Sequence, residues 1–240
     1  MNYEKFKPLL GTWGPYLKPM IESPEMDGIY AKLKEEAARG VKILPKSTNT
    51  YRAFAETPYN NLQVVFLLQD PYPSMINNVP VADGIAISCS NTGKLQPSLE
   101  QFYDAIEDDL YEGLDVKNGR NPDLSYLCNQ GVMMLNTSLT VEYEKPGSHF
   151  NIWKPFTTYL FEEIFMHYNR GLVFVLCGEK SHQYEQYINP FQHWIIKVEH
   201  PAHAARKMRL WDHQNLFKKV NKVLLDNNNT TINWMGGDLF

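Results

Sequence analysis

Cysteine is scarce in this chain. Cys89, Cys128 and Cys177 are far apart and odd in number. Such a set gives no disulfide framework and points to a reducing compartment. It also excludes a zinc ribbon or an iron–sulfur cluster, which need four ligands, usually closely paired. Long apolar runs are missing too. None approaches the roughly 20 residues that a membrane-spanning helix needs. The N-terminal Met1-Asn2-Tyr3-Glu4-Lys5 lacks the apolar stretch of a secretory signal, so an intracellular protein is expected, cytoplasmic or, in a eukaryote, nuclear.

A dominant charge is absent as well. The chain carries 23 Lys and Arg against 27 Asp and Glu, a net charge of −4, so it is no basic nucleic-acid binder as a whole. The charge is unevenly spread, however. Residues 107–115 are acidic, whereas His200–Lys222 holds six Lys and Arg against the single acid Asp212. A local basic stripe can meet phosphates, although a solvated helix face gives the same pattern.

Several motifs of common chemistries are also lacking. Asn91-Thr92-Gly93-Lys94-Leu95 has a Gly-Lys pair without the rest of a P-loop, and G-x-G-x-x-G does not occur. There is no G-x-S-x-G, and Cys177 has a histidine, His182, only five residues on. His200 and His203 are three apart, with His213 ten further on. Pro201 breaks the helix that a His-x-x-His zinc pair requires, and H-E-x-x-H is absent.

What is present is a globular composition, 43% hydrophobic and 21% charged, on 240 residues, enough for one large α/β domain. Its central stretch is Val64-Val65-Phe66-Leu67-Leu68-Gln69-Asp70-Pro71-Tyr72-Pro73. Five apolar residues in a row read as a strand buried on both faces, as in a parallel sheet. The prolines end it, since each lacks the N–H a ladder needs. Asp70 thus sits at the carboxyl end of a buried strand, where open α/β sheets bind ligands; capping of the next turn is the simpler alternative.

The pattern recurs. Gly84–Ile87, Val132–Leu135, Leu172–Cys177 and Trp194–Val198 are apolar runs that end in turn-forming residues. Helical segments are expected at Ser98–Leu110, Pro155–Tyr168, Ser181–Tyr187 and Leu210–Asp226. Lys32–Arg39, closed by Gly40, and a short helix at Tyr51–Glu56 precede the first run. Alternating strands and helices predict βαβ units around a parallel sheet. The whole reads as a single domain over 1–240: a mainly helical part at 1–60, an α/β core at 61–225 and a tail at 226–240, with Trp234 packed back onto the body.

Asp70, Ser88, Asn136 and His200 would then line one crevice. A carboxylate, an amide and a histidine suit the cleavage of a glycosidic bond, whose transition state is oxocarbenium-like. The carboxylate stabilises the cation and can orient a water. A neutral histidine N–H stabilises the anionic leaving group. The amide offers a donor and an acceptor to a base edge.

Together and in order, five motifs resemble family-1 uracil-DNA glycosylases. They are Tyr51-Arg52-Ala53-Phe54-Ala55-Glu56-Thr57-Pro58-Tyr59, Gln69-Asp70-Pro71-Tyr72, Leu135-Asn136-Thr137-Ser138-Leu139-Thr140-Val141, His200-Pro201 with its basic loop, and Ile232-Asn233-Trp234. The resemblance spans about residues 13 to 236. It implies an α/β fold with a central four-stranded parallel sheet flanked by helices, so at least one of the five runs lies outside the sheet. It implies a monofunctional hydrolase that flips deoxyuridine out of DNA, releases uracil and leaves an abasic site for base excision repair. No metal or cofactor is implied. Uracil-containing DNA, single- or double-stranded, is the implied partner, with no membrane; a protein inhibitor or replication partner is left open.

On matching positions, the resemblance gives Asp70 and His200 the catalytic roles. Asn136 reads the uracil edge, Gln69 adds contacts, and Tyr72 packs where a thymine methyl would go. Ser88, Pro97, Ser98 and Gly178 match loops that grip the DNA backbone, and residues 202–210, with Ala204, Arg206, Lys207 and Arg209, match the loop that enters the minor groove.

The departures are specific. Leu68 replaces a glycine. Pro73 replaces a histidine, similar to the Asp-Pro-Tyr-Pro of poxviral members. Ile87 stands where an aromatic would stack on uracil, forgoing about 1–3 kcal/mol of stacking. Ala204 falls where a leucine wedge would fill the gap left by the flipped base. Arg206, Met208 or Leu210 could replace it, because the loop is longer by about one residue. The proline-rich loop shrinks to Gln96-Pro97-Ser98. Activity is expected, weaker on duplex than on single strands. The alternatives are a catalytically weak or inactive glycosylase-fold protein that serves as a DNA-binding replication accessory, and a glycosylase of altered base preference.

Overall fold

Strand β1, Val64–Leu68, has all five side chains buried, because parallel neighbours flank it and helices cover both faces. A computed structural model describes residues 1–236; the last four residues of the expected tail lie outside them. Strands β2 (Val132–Asn136), β3 (Val173–Cys177) and β4 (Trp194–Val198) complete a four-stranded sheet in the order β2-β1-β3-β4. All three pairings are parallel.

Period-two alternation divides the apolar runs between two cores. Val65, Leu67, Met133, Leu135, Phe174 and Leu176 face one side, under the N-terminal segment, α1 (Pro24–Ala38) and α3 (Phe150–Tyr159). Val64, Phe66, Leu68, Met134, Val175 and Cys177 face the other, under α2 (Pro97–Leu110) and α5 (Leu216–Asp226). Trp234 is fully buried in this second core, edge-on to Phe217 at 4.9 Å. All three cysteines are buried thiols. Among the described residues no helix is long and apolar enough to cross a membrane.

Local chemistry sets the helix ends. Ser23 caps α1 by accepting from the Met26 N–H, and Pro24 supplies a first-turn residue that needs no donor. At the other end Gly40 adopts φ +81°. Its N–H reaches Ala37 O and that of Val41 reaches Glu36 O, the pair of bonds that closes a helix on a left-handed residue.

Four expected elements differ. The helix expected at Ser181–Tyr187 is a short helix over Glu179–His182 followed by a separate 3-10 turn at Glu185–Tyr187. Gly84–Ile87 is not a strand. Gly84 and Ile87 have φ of +97° and +54°, so the run turns on itself as a loop. The helix expected from Pro155 starts earlier, at Phe150, because Phe150, Trp153 and Phe156 supply the buried stripe. It then loosens into a π-turn over Leu160–Ile164. The helix expected from Leu210 starts only at Leu216, as α5, since Gln214 and Asn215 take positive φ just before it; a separate short helix, α4 (Pro201–Arg206), precedes that turn.

Candidate active site

Register fixes what the strands present at their carboxyl ends. Leu68 pairs with Asn136, and Cys177 with Val198. Asp70, Gly178 and His200 therefore follow the ends of β1, β3 and β4 by one or two residues. From β1 the chain goes to β2 on one side, and from β3 to β4 on the other, so the crevice opens where the connections part. His182 links two of these ends, sharing its Nε2 between Leu176 O and Val198 O, each at 3.1 Å.

The crevice has a volume of about 920 Å³. Of the sequence-derived candidates, Gln69, Asp70, Tyr72, Ile87, Pro97, Ser98, Gly178, His200 and Arg206 line it. Asn136, expected to line the crevice, is not among the lining residues; it is buried at the end of β2, and its Oδ1 has no hydrogen-bond partner among the described residues. A desolvated, unpaired amide oxygen costs about 1–3 kcal/mol, so this atom is suited to a donor brought by a ligand.

Asp70 is held on both oxygens. Oδ1 accepts from Gln69 Nε2 at 3.2 Å, and Oδ2 accepts from the Gly147 N–H. The Gln69 carbonyl is itself pinned by the Thr137 hydroxyl at 2.6 Å and the Ser138 N–H at 3.1 Å. Burial raises the Asp70 pKa above the ordinary carboxylate range; the two hydrogen bonds and the Arg206 charge oppose that rise without cancelling it.

His200 caps α4. Its Nδ1 accepts from the Ala202 N–H at 3.1 Å, so the proton of the neutral ring is on Nε2. Burial, then the charges of Arg206 and His203, push its pKa down to about 4. The backbone of Gly178 fits against it: φ is +85° and ψ 168°, and a Cβ there would be 3.0 Å from His200 Cβ.

Tyr72 and Ile87 form one wall. The Tyr72 hydroxyl donates to Ile87 O at 3.1 Å and lies 2.7 Å from Ser98 Oγ. Ile87 has φ +54°, a left-handed conformation rarely taken by a β-branched residue.

Two further candidates stand differently from the expectation. Ser88 is fully buried, its hydroxyl 2.6 Å from Asp83 Oδ2. That side chain is engaged inside the protein, not offered to a DNA backbone. Ala204 is also fully buried, within α4, and is no wedge. Met208, 94% exposed at φ +49°, and Leu210, 78% exposed, stand out from the following loop. Lys207 and Arg209 are on this loop outside the crevice, and Arg209 is paired with Glu199. The sequence reading missed Pro146 and Lys180 at the lining, and Gly147, whose N–H holds Asp70, although Pro-Gly is a turn signal.

Comparison with known proteins agrees with this geometry. The family model for the uracil DNA glycosylase superfamily matches residues 52–225. A uracil-DNA glycosylase of Pseudomonas aeruginosa is 33% identical over 239 residues, covering 99% of each chain. One from Amoebophilus asiaticus is 31% identical over 224 residues, 93% of this chain and 97% of that one. Among solved structures, mimivirus uracil-DNA glycosylase superposes with a TM-score of 0.82 at 23% identity, covering 98% of this chain and 89% of that one. A mimivirus UNG variant solved in complex with UGI gives 0.83 at 23% identity, with 98% and 91% covered.

Proposed function

Because the chain belongs to the uracil DNA glycosylase superfamily, we propose that it hydrolyses the N-glycosidic bond of deoxyuridine in DNA, frees uracil and leaves an abasic site. The observation that carries this reading is a held carboxylate and a neutral imidazole in one crevice, Asp70 after β1 and His200 after β4. As the C1′–N1 bond breaks, its electron pair leaves with the base and the sugar becomes cationic. Asp70 stabilises that cation and takes the proton of the attacking water. His200 donates a hydrogen bond from Nε2–H to uracil O2 and keeps its proton, as a strongly depressed pKa requires of a neutral donor.

Asn136 supplies the amide that reads the base edge. Tyr72 occupies the space a thymine methyl would need, and Ile87 covers one face of the base. Gln69 adds contacts beside it. Pro97, Ser98, Gly178 and Arg206 grip the strand at the crevice, with Lys207 and Arg209 beyond it. Met208, backed by Leu210, takes the wedge position that Ala204 leaves empty. Its loop is anchored at its C-terminal end by Trp211, whose Nε1 donates to Glu199 O at 2.7 Å and whose N–H donates to Gln101 Oε1 at 2.8 Å. A preorganised apolar tip inserts into a base stack at less ordering cost. The buried thiols suit work in a reducing, intracellular setting.

The test is incubation with single- and double-stranded oligonucleotides carrying one uracil, then alkali. Strand cleavage at the uracil is expected on both. No cleavage at enzyme excess would leave a DNA-binding protein on a glycosylase fold.

A further inference from the structure

The turn from Asp83 to Ser90 carries Ile87, and its organising group is a carboxylate the chemistry above does not use. Asp83 is fully buried. Its Oδ1 accepts from the Ile85 N–H at 3.1 Å. Its Oδ2 accepts from the Ser88 hydroxyl at 2.6 Å, from the Ser90 N–H at 2.9 Å and from the Ser90 hydroxyl at 2.6 Å. Arg52 Nη1 is 2.9 Å from that same oxygen, and Arg52 Nη2 meets both oxygens of Asp123 at 2.9 and 3.0 Å. Gly84 leaves the turn no slack, since a Cβ there would be 1.9 Å from Asn49 O.

So many bonds within one turn over-determine its shape. That accounts for how Ile87 is kept at φ +54°, a conformation rarely taken by a β-branched residue. The consequence reaches Tyr72, whose hydroxyl donates to the carbonyl of the same Ile87. Both side chains of the pocket wall are therefore referred to one carboxylate.

We infer that Asp83, held by Arg52, is a positioning residue that sets the width of the base pocket, and with it discrimination against pyrimidines bearing a 5-methyl group. This rests on the reading of Tyr72 and Ile87 as the wall around the base. Loosening the turn lets Ile87 relax out of the left-handed region, moves its carbonyl, and frees the tyrosine ring to give way before a methyl.

The experiment compares thymine with uracil release from otherwise identical single-stranded oligonucleotides at enzyme excess, as the ratio of the two kcat/KM values. That ratio does not depend on the fraction of enzyme that is folded. The variants are Asp83→Asn, the milder Ser88→Ala, which keeps the Arg52 ion pair, and Tyr72→Ala as a direct opening of the wall. We expect the thymine-to-uracil ratio to rise at least tenfold in Ser88→Ala and further in Asp83→Asn, with Arg52→Lys intermediate. A lowered melting temperature with an unchanged ratio in Ser88→Ala and Asp83→Asn, while Tyr72→Ala raises it, would overturn the inference and leave a purely structural turn. An unchanged ratio in Tyr72→Ala as well would instead contradict the wall reading, and the inference with it.

Discussion

His200 and Asp70 are both shifted by burial, and both shifts favour the uncharged form. For the rate, the consequence is one-sided. Asp70 must lose its proton and His200 must stay neutral, so kcat/KM rises as pH climbs through the raised Asp70 pKa and then levels off. For stability, the two groups have opposite signs. His200 falls from an ordinary 6.5 to about 4 on folding, so as pH drops between those values the unfolded chain binds a proton that the folded one refuses, and stability is lost. Asp70, raised, contributes stability below its folded pKa that is lost as pH rises through it. Nitrogen-edited NMR should find His200 neutral and protonated on Nε2 at pH 5.5; an imidazolium there contradicts the assignment. These two residues were legible in the sequence because each follows an apolar run at a strand end. Gly147 was not, since its contribution is a backbone N–H that residue type does not reveal.

At the scale of elements, the loop after α4 and the junction after β3 carry the predictions. Met208→Ala should lower uracil release from duplex at least tenfold while changing release from single strands less than threefold, because only the duplex has a gap to fill. Equal losses on both substrates would remove the wedge role. Gly178→Ala meets two obstacles, a backbone conformation nearly reserved for glycine and the 3.0 Å approach to His200. Displacing the imidazole should cost kcat about 10²–10³-fold, the scale of losing one oxyanion donor. Wild-type kcat in that variant would mean that the contact does not fix the ring. The sequence reading failed here for definite reasons. An apolar run as short as Gly84–Ile87 fits a strand or a buried turn equally, and the bonds of Asp83 decide between them. The helix read over Leu210–Asp226 begins only at Leu216, because Gln214, no turn former by type, takes positive φ just before it.

The whole molecule is a sheet between two cores, and its strands are the part that period and length gave away most directly. Val64–Leu68, Val132–Asn136, Val173–Cys177 and Trp194–Val198 are apolar because both faces are covered, and the same burial fixes the carboxyl ends that carry the site. The C-terminal segment closes the second core far from Asp70 in sequence. Trp234→Ala should therefore destabilise by about 3–5 kcal/mol, read by urea unfolding, while leaving kcat near wild type at low temperature. A loss of kcat without loss of stability would tie Trp234 to the site instead.

The central claim is that the Asp70 carboxylate drives cleavage of the base–sugar bond. It is tested most directly by single-turnover release of free uracil from a single-stranded oligonucleotide, comparing wild type with Asp70→Asn, a change that keeps the size of the side chain and removes its charge. The account predicts stoichiometric uracil from wild type and a rate slower by about 10²–10⁴-fold in the variant, with DNA binding retained. Equal rates from the two proteins would contradict it.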